Sequence, residues 1–385
     1  MNFDLTPEQE EFRQVVRRFT QEVVAPGAAE RDRTETFPLD VVKQMAELGL
    51  FGLPFPEEYG GSAADTVTIC LAIEELGRVD QSVGITLSAA TGLGGGMISR
   101  FATPKQKERW LGPVAGGEIL ASFALTEPGG GSDAAAARTT ARADGDGWVI
   151  DGAKAFITNS GTPITGVHVV AAVTDPGAGT HALSTFLVPA EADGITVEPA
   201  YRKLGWHASD THGLGFDGVR VPGDALLGER GRGFPQCLEI LAGARVTISA
   251  LAVGLAQACF DESVRYANER EAFGRPIGAN QMIQAKLADM RASVEAARLL
   301  THRAAWLRDQ GRPYVAEASV AKLVSSETAV SAAREAVQIH GGYGFIEELP
   351  VARFYRDAKV LEIGEGTSEI HRLILARESG LPDGP

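Results

Sequence analysis

The chain has 385 residues, of which 44% are hydrophobic and 22% charged, a composition typical of a globular protein with two or three domains. Its formal net charge of −14 argues against nucleic acid as the main partner, because binding phosphates requires a basic face. No apolar run reaches the roughly 18 residues that a membrane span needs, and the acidic, polar start is unlike a targeting segment, so we expect a cytoplasmic protein without a membrane partner.

The three cysteines indicate the redox compartment. Cys70, Cys237 and Cys259 are odd in number, widely separated and surrounded by apolar residues. This pattern is typical of buried thiols in a reducing compartment. No spacing of Cys or His matches a zinc site, so we predict no metal.

Residues 1–118 have the patterns of helices. Thr6, Pro7 and Gln9 combine a capping Thr, a Pro at the first helical position and a Gln at the third, which predicts a helix start. Further helices are predicted over 39–48, 67–76 and 104–110. We therefore expect an N-terminal α-helical domain.

Residues 119–228 have the patterns of strands. Short alternating or apolar segments at 148–150, 167–173, 184–188 and 216–221 are separated by turns rich in Gly, Asp and Pro. The sequence predicts a middle domain that is a small antiparallel β barrel or sandwich.

Residues 229–385 return to helices. Apolar residues at three-four spacing predict long helices over 245–271, 281–310 and 314–340, and shorter ones over 350–360 and 367–378. Short Gly and Pro linkers favour antiparallel neighbours in a C-terminal four-helix bundle. The predicted fold class is α+β.

The segment 125–133 carries three consecutive glycines. Glycines let backbone amides approach a ligand closely, and Thr126 and Ser132 add hydroxyl groups. The segment is equally compatible with a flexible turn. It is neither a dinucleotide fingerprint nor a P-loop, because no βαβ unit surrounds it and no Gly-Lys-Ser/Thr follows.

Phe156 and Thr158 end a strand-like segment. Side chains two residues apart point to the same face of a strand, so the ring and the hydroxyl suit a planar aromatic cofactor. In isolation, a core aromatic beside a surface Thr is the simpler interpretation.

Two helix ends carry candidate anion-binding groups. Arg270 and Phe273 close the first long helix, where a guanidinium can grip a pyrophosphate or simply complement the helix dipole. Gly341 and Gly342 follow another helix, where they expose amides or form an ordinary C-cap. His340 alone is more typical of a structural histidine.

Glu365 is the sharpest single feature. Gly364 and Gly366 flank it and free its backbone, and Thr367 or Ser368 could cap the helix that follows. The alternative is an acid favoured by the dipole at a helix N-terminus.

Six segments, taken in order, resemble the acyl-CoA dehydrogenase family across nearly the whole chain: 125–133, 156–159, 203–211, 270–277, 336–344 and 356–377. The resemblance implies that family's three-domain fold and its usual assembly, a homotetramer with one FAD per subunit.

The resemblance also implies roles for single residues. Contacts along the flavin and the thioester fall to Phe123, Leu125, Thr126, Gly131 and Ser132. Phe156 and Thr158 would flank the isoalloxazine. The FAD pyrophosphate and adenosine, reached from a neighbouring subunit, fall to Arg270, Phe273, Gln281, Gln338, Gly341 and Gly342. Thr367 and Glu369 match positions that contact the same cofactor, Arg245 matches an Arg near the substrate, and Gly366 abuts the thioester.

The chemistry implied by the resemblance is α,β-dehydrogenation of an acyl-CoA thioester. Glu365 would remove the α-proton while the β-hydride passes to flavin N5, near Thr158. The Glu365 amide and a ribityl hydroxyl would stabilise the carbonyl oxygen. The product is a trans-2-enoyl thioester, and an electron-transfer flavoprotein would reoxidise the flavin.

Three positions depart from the family pattern. Ala244 stands where one branch carries its base, so Glu365 has no rival. Ala242 replaces an acid that touches the pantetheine, which leaves open an acyl group bound to a carrier protein. Gly364 replaces a Tyr beside the base, which suggests a bulkier or branched acyl group or easier access of oxygen.

A flavin oxidase or monooxygenase is a further alternative, but monooxygenases of this fold do not need Glu365. A non-enzymatic binding protein would not need both the flavin motifs and the base.

Overall fold

The structure is a computed structural model that describes residues 3–382, and its elements follow the order helices, strands, helices. The first helices are α1 (Pro7–Phe19), α2 (Ala28–Thr34), α3 (Leu39–Glu47), α4 (Thr66–Val79), α5 (Gln81–Ser88), α6 (Gly95–Phe101) and α7 (Pro104–Ala115). The strands of the middle region are β1 (Leu120–Ala124), β2 (Thr140–Asp144), β3 (Gly147–Thr158), β4 (Thr165–Val173), β5 (Leu183–Pro189), β6 (Ile195–Val197), β7 (Thr211–Pro222) and β8 (Leu226–Leu227). The last region contains α8 (Gly233–Glu269), β9 (Glu271–Ala272), β10 (Arg275–Pro276), α9 (Gln281–Asp309), α10 (Val315–His340), α11 (Gly342–Phe345), α12 (Val351–Ala358) and α13 (Ser368–Glu378).

The predicted helix start at Thr6 is confirmed. The Thr6 side chain accepts from the Gln9 amide, the Gln9 side chain accepts from the Thr6 amide, and Pro7 opens α1. Thr103 and Gln106 form the same reciprocal pair at the start of α7. Each pair satisfies two donors that would otherwise have no partner in the helix.

The middle region forms one eight-stranded sheet. Its order is β6-β7-β3-β2-β4-β5-β8, with β1 also paired to β4. Most neighbours are antiparallel as predicted, but β1 and β2 both pair with β4 in parallel. The expectation of an entirely antiparallel sheet is therefore wrong at these two pairings, because β1 and β2 reach β4 through connections longer than a hairpin.

The predicted C-terminal helical bundle is confirmed. The helices α8, α9 and α10 pack on one another, and α12 and α13 pack against α10. The helix α4 also packs along α8, so the first and last regions share one hydrophobic core. The helix α8 begins at Gly233 rather than at residue 245. Pro235 is compatible with this start because it lies in the first turn, where the backbone N–H that proline lacks would have no partner within the helix.

The helix α8 is long and apolar enough, by length and composition, to cross a membrane. No other helix in the described part of the chain passes this test. The sequence pattern, in contrast, predicts no membrane span in the chain. However, 83% of its most apolar 18-residue window is buried inside the protein. Such burial is typical of a core helix.

The three cysteines are buried free thiols, as predicted. Burial raises the pKa of the Cys237 thiol to about 12 and raises the pKa values of Cys70 and Cys259 as well. Thiols in this state are unreactive. Residues 3–382 contain no cluster of His, Cys, Asp or Glu suited to hold a metal ion.

Candidate active site

Glu365 lies in the loop between a short 3-10 turn, Lys359–Glu362, and α13. Its backbone is left-handed, with a φ of 58°, and Gly366 follows with a φ of 95°. Holding a non-glycine residue in this region costs on the order of 1 kcal/mol or more. The strain makes the loop a candidate for function.

The Glu365 carboxylate is partly buried, and its Oε2 atom has no hydrogen-bond partner within residues 3–382. Burial raises the pKa of Glu365 to about 7, and the positive charges of Lys322 and Arg245 oppose this rise. A carboxyl group with a pKa near neutrality can both take up and release a proton there. The group is suited to general base catalysis.

Lys322 reaches the Glu365 loop from α10. Its side chain is almost fully buried, and Nζ donates a 2.6 Å hydrogen bond to the carbonyl oxygen of Gly366. Burial lowers the pKa of Lys322 to about 8, although Glu365 acts in the opposite direction. A buried ammonium is costly unless an anion compensates it, so its position beside a carboxylate is significant.

Arg245 approaches the same loop from α8. It is only 6% exposed, and its Nε atom is buried without a hydrogen-bond partner in the described part of the chain. Burial lowers the pKa of this guanidinium while Glu365 raises it. The residue predicted to lie near the substrate therefore acts electrostatically on the predicted base.

His371 comes from α13 and packs against Gly366. Its side chain is fully buried, and a Cβ added to Gly366 would lie 3.2 Å from its Nε2 atom. Burial lowers the pKa of His371 to about 3, so the ring is neutral at neutral pH. A side chain at Gly366 would meet both a strained backbone angle and this ring.

The three departures from the family pattern have different surroundings. A Cβ added to Gly364 would meet only the Val360 carbonyl oxygen, at 3.6 Å, so the space beside the base is open. Ala242 and Ala244 are both 3% exposed in α8. Neither alanine side chain can accept a proton, so Glu365 stays the predicted base.

A second group of predicted residues meets at the start of the glycine-rich segment. The Ala155 amide donates to the Thr126 carbonyl oxygen at 2.9 Å. Lys154 Nζ donates to the Leu125 carbonyl oxygen at 3.1 Å and to the Glu127 carboxylate at 2.8 Å. The segment that carries Leu125 and Thr126 is thereby fixed to β3, immediately before Phe156.

Phe156 is presented outward by an irregularity in β3. The pairing of β3 with β7 shifts register between Lys154 and Ile157, and Phe156 has a φ of 60°. Its ring is 65% exposed, while Ile157 is buried and Thr158 is partly buried. Bulges of this kind often redirect side chains beside active sites. The predicted common face for Phe156 and Thr158 stays a prediction.

A third group of predicted residues lines a cavity of about 690 Å³ at the end of α10. Arg270, Gly341 and Gly342 contribute to its wall, together with His340 and other residues. The Arg270 guanidinium lies over the Tyr343 ring, with its central carbon 5.7 Å from the ring centre. The Gly341 amide donates to the carbonyl oxygens of Val337 and Gln338, so it forms an ordinary C-cap. The Arg270 guanidinium is the group in this wall that is suited to an anionic ligand.

The remaining predicted residues lie outside these three groups. Phe273 is fully exposed at the tip of the β9–β10 hairpin with a φ of 55°. Gln281, Gln338, Gly131, Ser132 and Glu369 are exposed, and Phe123 is partly buried in β1. Thr367 caps α13 by accepting from the Ile370 amide at 3.3 Å, as predicted. The ligand roles of these residues stay predictions.

Comparison with known proteins gives the family. Models of the acyl-CoA dehydrogenase N-terminal, middle and C-terminal domains match residues 6–118, 122–219 and 231–380. The probable acyl-CoA dehydrogenase YngJ of Bacillus subtilis is 47% identical over 379 residues, which cover 98% of this chain and 99% of that protein. The chain belongs to the acyl-CoA dehydrogenase family.

Solved structures of the acyl-CoA dehydrogenase family share the whole fold. Butyryl-CoA dehydrogenase from Megasphaera elsdenii is 39% identical, with a TM-score of 0.96 over 98% of this chain and 100% of that one. The prolyl acyl carrier protein oxidase AnaB is 31% identical, with a TM-score of 0.95 over 98% of this chain and 100% of that one. The fold neighbours thus include one protein named for a CoA thioester and one named for a carrier-protein substrate.

Acyl-CoA dehydrogenase family members are flavoproteins, and the residues of this chain fit FAD. The cavity beside Arg270, Gly341 and Gly342 combines a cation, which a pyrophosphate requires, with glycines that let a ligand approach the backbone closely. The exposed Phe156 ring and the Thr158 hydroxyl offer an apolar face and a donor to a planar ring system. Both fits depend on side chains that a ligand can reach: Arg270 lines the cavity and the Phe156 ring is exposed.

Lys322 and His371 are functional candidates that the sequence patterns did not reveal. A weak signal existed for Lys322, since it stands on a face of α10 otherwise made of small buried residues such as Ala318, Ala321 and Ser325. A lysine at a core position of a helix needs an explanation. His371 gave no comparable signal, because a histidine in an amphipathic helix is unremarkable.

Proposed function

We propose that the chain catalyses the α,β-dehydrogenation of an acyl-CoA thioester to the trans-2-enoyl thioester, with FAD as the oxidant and Glu365 as the catalytic base. The observation that carries the proposal is the Glu365 carboxylate, which lies in a left-handed turn near two buried cations and whose Oε2 atom has no hydrogen-bond partner in the described part of the chain. Membership of the acyl-CoA dehydrogenase family supports it.

Glu365 accepts the proton that leaves the α-carbon of the thioester. The electron pair of that C–H bond forms the new double bond, and Glu365 becomes a neutral carboxylic acid. Since burial raises the pKa of Glu365 to about 7, the base is substantially ionised at neutral pH and is still basic enough to take the proton. A positioned base typically contributes about 10²–10⁴-fold to a rate.

The backbone amide of Glu365 donates to the thioester carbonyl oxygen in this proposal. Negative charge grows on that oxygen as the α-proton leaves, and a fixed donor stabilises it without reorganisation. The Gly366 carbonyl is already held by Lys322, so the peptide unit that follows Gly366 is fixed within the loop. A loop fixed in this way costs little to order when substrate binds.

FAD, when bound, provides the acceptor for the hydride that leaves the β-carbon. Phe156 and Thr158 would flank its ring system, and Arg270, Gly341 and Gly342 would hold its pyrophosphate. The exposed positions of Phe273, Gln281 and Gln338 favour contacts with the FAD of a neighbouring subunit. We therefore also propose a homotetramer.

An electron-transfer flavoprotein is the electron acceptor that we propose for the reduced enzyme. The exposed Phe156 ring supports this choice, since it would leave one edge of the flavin site near the surface. We also propose that the protein is located in the cytoplasm.

A second candidate is the dehydrogenation of an acyl group attached to a carrier protein. Ala242 favours it, because the acid expected to contact the pantetheine of CoA is replaced by a small buried residue. The similarity to AnaB, named for a carrier-protein substrate, points the same way. Free acyl-CoA remains the first candidate because the 47% identical relative is named for it.

Anaerobic reduction of the bound flavin tests both candidates. The purified holoenzyme is mixed with a panel of acyl-CoA thioesters and with the same acyl groups on a pantetheinylated carrier protein, and flavin absorbance is followed. We expect rapid bleaching by one or more acyl-CoAs and loss of at least about 10²-fold in rate for Glu365→Gln. Glu362→Gln, a nearby acid paired with Lys359, is the matched control and should keep the wild-type rate.

The outcomes separate the candidates. Faster bleaching by the carrier-bound group would favour the second candidate. A Glu365→Gln protein that retains FAD and is reduced at the normal rate would refute both.

A further inference from the structure

Lys322 contacts the loop that presents the proposed base, but it does not exchange a proton or a hydride in the proposed chemistry. Its ammonium donates to the carbonyl oxygen of Gly366, the residue after Glu365. Both residues of the turn have positive φ, 58° for Glu365 and 95° for Gly366. The bond fixes a carbonyl orientation that a strained turn does not hold unaided.

A neutral donor would be sufficient if the bond only satisfied the Gly366 carbonyl. A serine or a water could do so without the cost of burying a charge, and Ser319 stands one helical turn before Lys322 with its own hydroxyl buried and unpaired in the described part of the chain. A buried ammonium is justified when it compensates a nearby anion. The Glu365 carboxylate is that anion.

We propose that Lys322 is a positioning residue for the base: its ammonium holds the Gly366 carbonyl and so fixes the turn that aims the Glu365 carboxylate, while its charge stabilises the ionised base. This inference rests on the proposed function of Glu365 and assigns the fixing of the turn to one side chain of α10.

The charged and titratable groups that act on this loop come from several elements. Lys322 belongs to α10, Arg245 to α8 and His371 to α13. Other groups that act on these two cations are Glu362 and Glu369, which raise the pKa of Lys322, and Tyr314, which raises that of Arg245. Because His371 is neutral, the cations that act directly on Glu365 are Lys322 and Arg245.

Removing the Lys322 charge should make Glu365 harder to ionise. Since Lys322 lowers the pKa of Glu365, its loss raises that pKa, and activity that requires ionised Glu365 then begins at higher pH. We expect the acid limb of the pH profile to move up by about one unit. Loss of the hydrogen bond should also reduce the limiting rate at high pH roughly tenfold, with little change in KM.

The experiment compares the holoenzymes of wild type, Lys322→Met, Lys322→Gln and Lys322→Arg. Flavin reduction by the best acyl-CoA is measured from pH 5.5 to 9. Lys322→Met should show both changes, Lys322→Gln the shifted acid limb with a smaller loss of limiting rate, and Lys322→Arg an acid limb close to wild type. Lys286→Met is the matched control, because Lys286 pairs with Glu335 between α9 and α10 and has no contact with the loop in the described residues.

A second readout does not depend on turnover. The infrared carboxyl band lost in Glu365→Gln reports the titration of Glu365, and its midpoint should rise in Lys322→Met and Lys322→Gln. If Lys322→Met does not fold, Lys322→Gln is used for both measurements. If neither neutral variant folds, Lys322→Arg is the remaining test, and it should keep the wild-type infrared midpoint.

The inference is overturned if a folded neutral variant keeps the wild-type acid limb, limiting rate and infrared midpoint, or if Lys322→Arg shifts the midpoint as a neutral residue would. Its failure is distinct from failure of the proposed function, which would appear as normal flavin reduction in Glu365→Gln.

Discussion

Lys154 and Glu127 form an ion pair in the interior of the middle region, with 2.8 Å between Nζ and Oε1 and with side chains that are 0% and 9% exposed. The Glu127 carboxylate also accepts from the amides of Arg138 and Thr139, at 2.7 and 2.9 Å. The Lys154 ammonium also donates to the Leu125 carbonyl oxygen. One buried pair therefore connects the glycine-rich segment to the strand that carries the exposed aromatic ring.

Lys154→Met should destabilise the protein strongly. It leaves the Glu127 carboxylate buried without its cation, and breaking a buried pair typically costs about 3–5 kcal/mol. We expect the free energy of unfolding in urea to fall by this order and the ratio of bound FAD to protein to fall with it.

The double variant Lys154→Met with Glu127→Gln provides the control. It removes both charges and keeps an oxygen that can accept from one of the two amides, that of Arg138 or that of Thr139, so it should recover part of the lost stability. Additive losses from the two single substitutions would show that the pair is not coupled.

Glu365→Gln should stabilise the protein at neutral and alkaline pH. The folded pKa of about 7 exceeds the ordinary value of 4.5, so between these pH values the folded state binds the proton more tightly than the unfolded state. Wild-type stability therefore falls as pH rises through this window, by about 1–3 kcal/mol in total. The Gln variant lacks this loss.

The measurement is the melting temperature of wild type and Glu365→Gln at several pH values. We expect equal values near pH 4 and a difference in favour of the variant that grows up to about pH 7 and then levels off. A difference that did not depend on pH would contradict the raised pKa of Glu365.

Gly366→Ala should damage the loop, and Gly364→Ala should not. A Cβ at Gly366 would require a φ of 95° and would lie 3.2 Å from the His371 ring. A Cβ at Gly364 meets only one carbonyl oxygen, at 3.6 Å. We expect Gly366→Ala to cost roughly 1–3 kcal/mol and most of the flavin-reduction rate, whereas Gly364→Ala stays within about 0.5 kcal/mol of wild type. Equal effects of the two substitutions in thermal unfolding and stopped-flow reduction would refute this account.

Phe273→Asp should disturb assembly and FAD retention together. The Phe273 ring is fully exposed at a hairpin tip, and a large apolar side chain in that position favours contact with another subunit. A buried carboxylate in such an interface is costly. Analytical ultracentrifugation should show a smaller species that has lost FAD, while Glu271→Ala in the same hairpin serves as the control. A Phe273→Asp protein that keeps its wild-type sedimentation and FAD would argue against an intersubunit role.

The sequence predicted those features that depend on neighbours along the chain. Thr6 and Gln9 form a helix start through a local pattern. Gly366, next to Glu365, allows the positive φ that the turn adopts. Such features involve residues within a few positions of one another.

The surroundings of the base could not be predicted in the same way. Lys322 is 44 residues from the carbonyl group that it holds, and Arg245 belongs to yet another helix. Such contacts depend on how α8, α10 and α13 pack, which a single sequence does not specify. For the same reason, the parallel pairing of β1 with β4 escaped a prediction based on strand patterns alone.

Gly364→Tyr tests what the open space beside Glu365 does. The position accepts a Cβ without a clash, so the substitution tests the shape of the pocket with little cost in stability. A ring there should exclude water and oxygen and narrow the acyl pocket. We expect the ratio of kcat/KM for a branched acyl-CoA to that for butyryl-CoA to fall about tenfold or more, since a lost apolar fit of this size is worth about 1–3 kcal/mol. Oxygen consumption by the reduced enzyme should fall as well.

Gly364→Ala is the control, because it separates the effect of the ring from the effect of losing a glycine. An unchanged substrate ratio in a folded Gly364→Tyr holoenzyme would show that Gly364 does not determine the acyl preference.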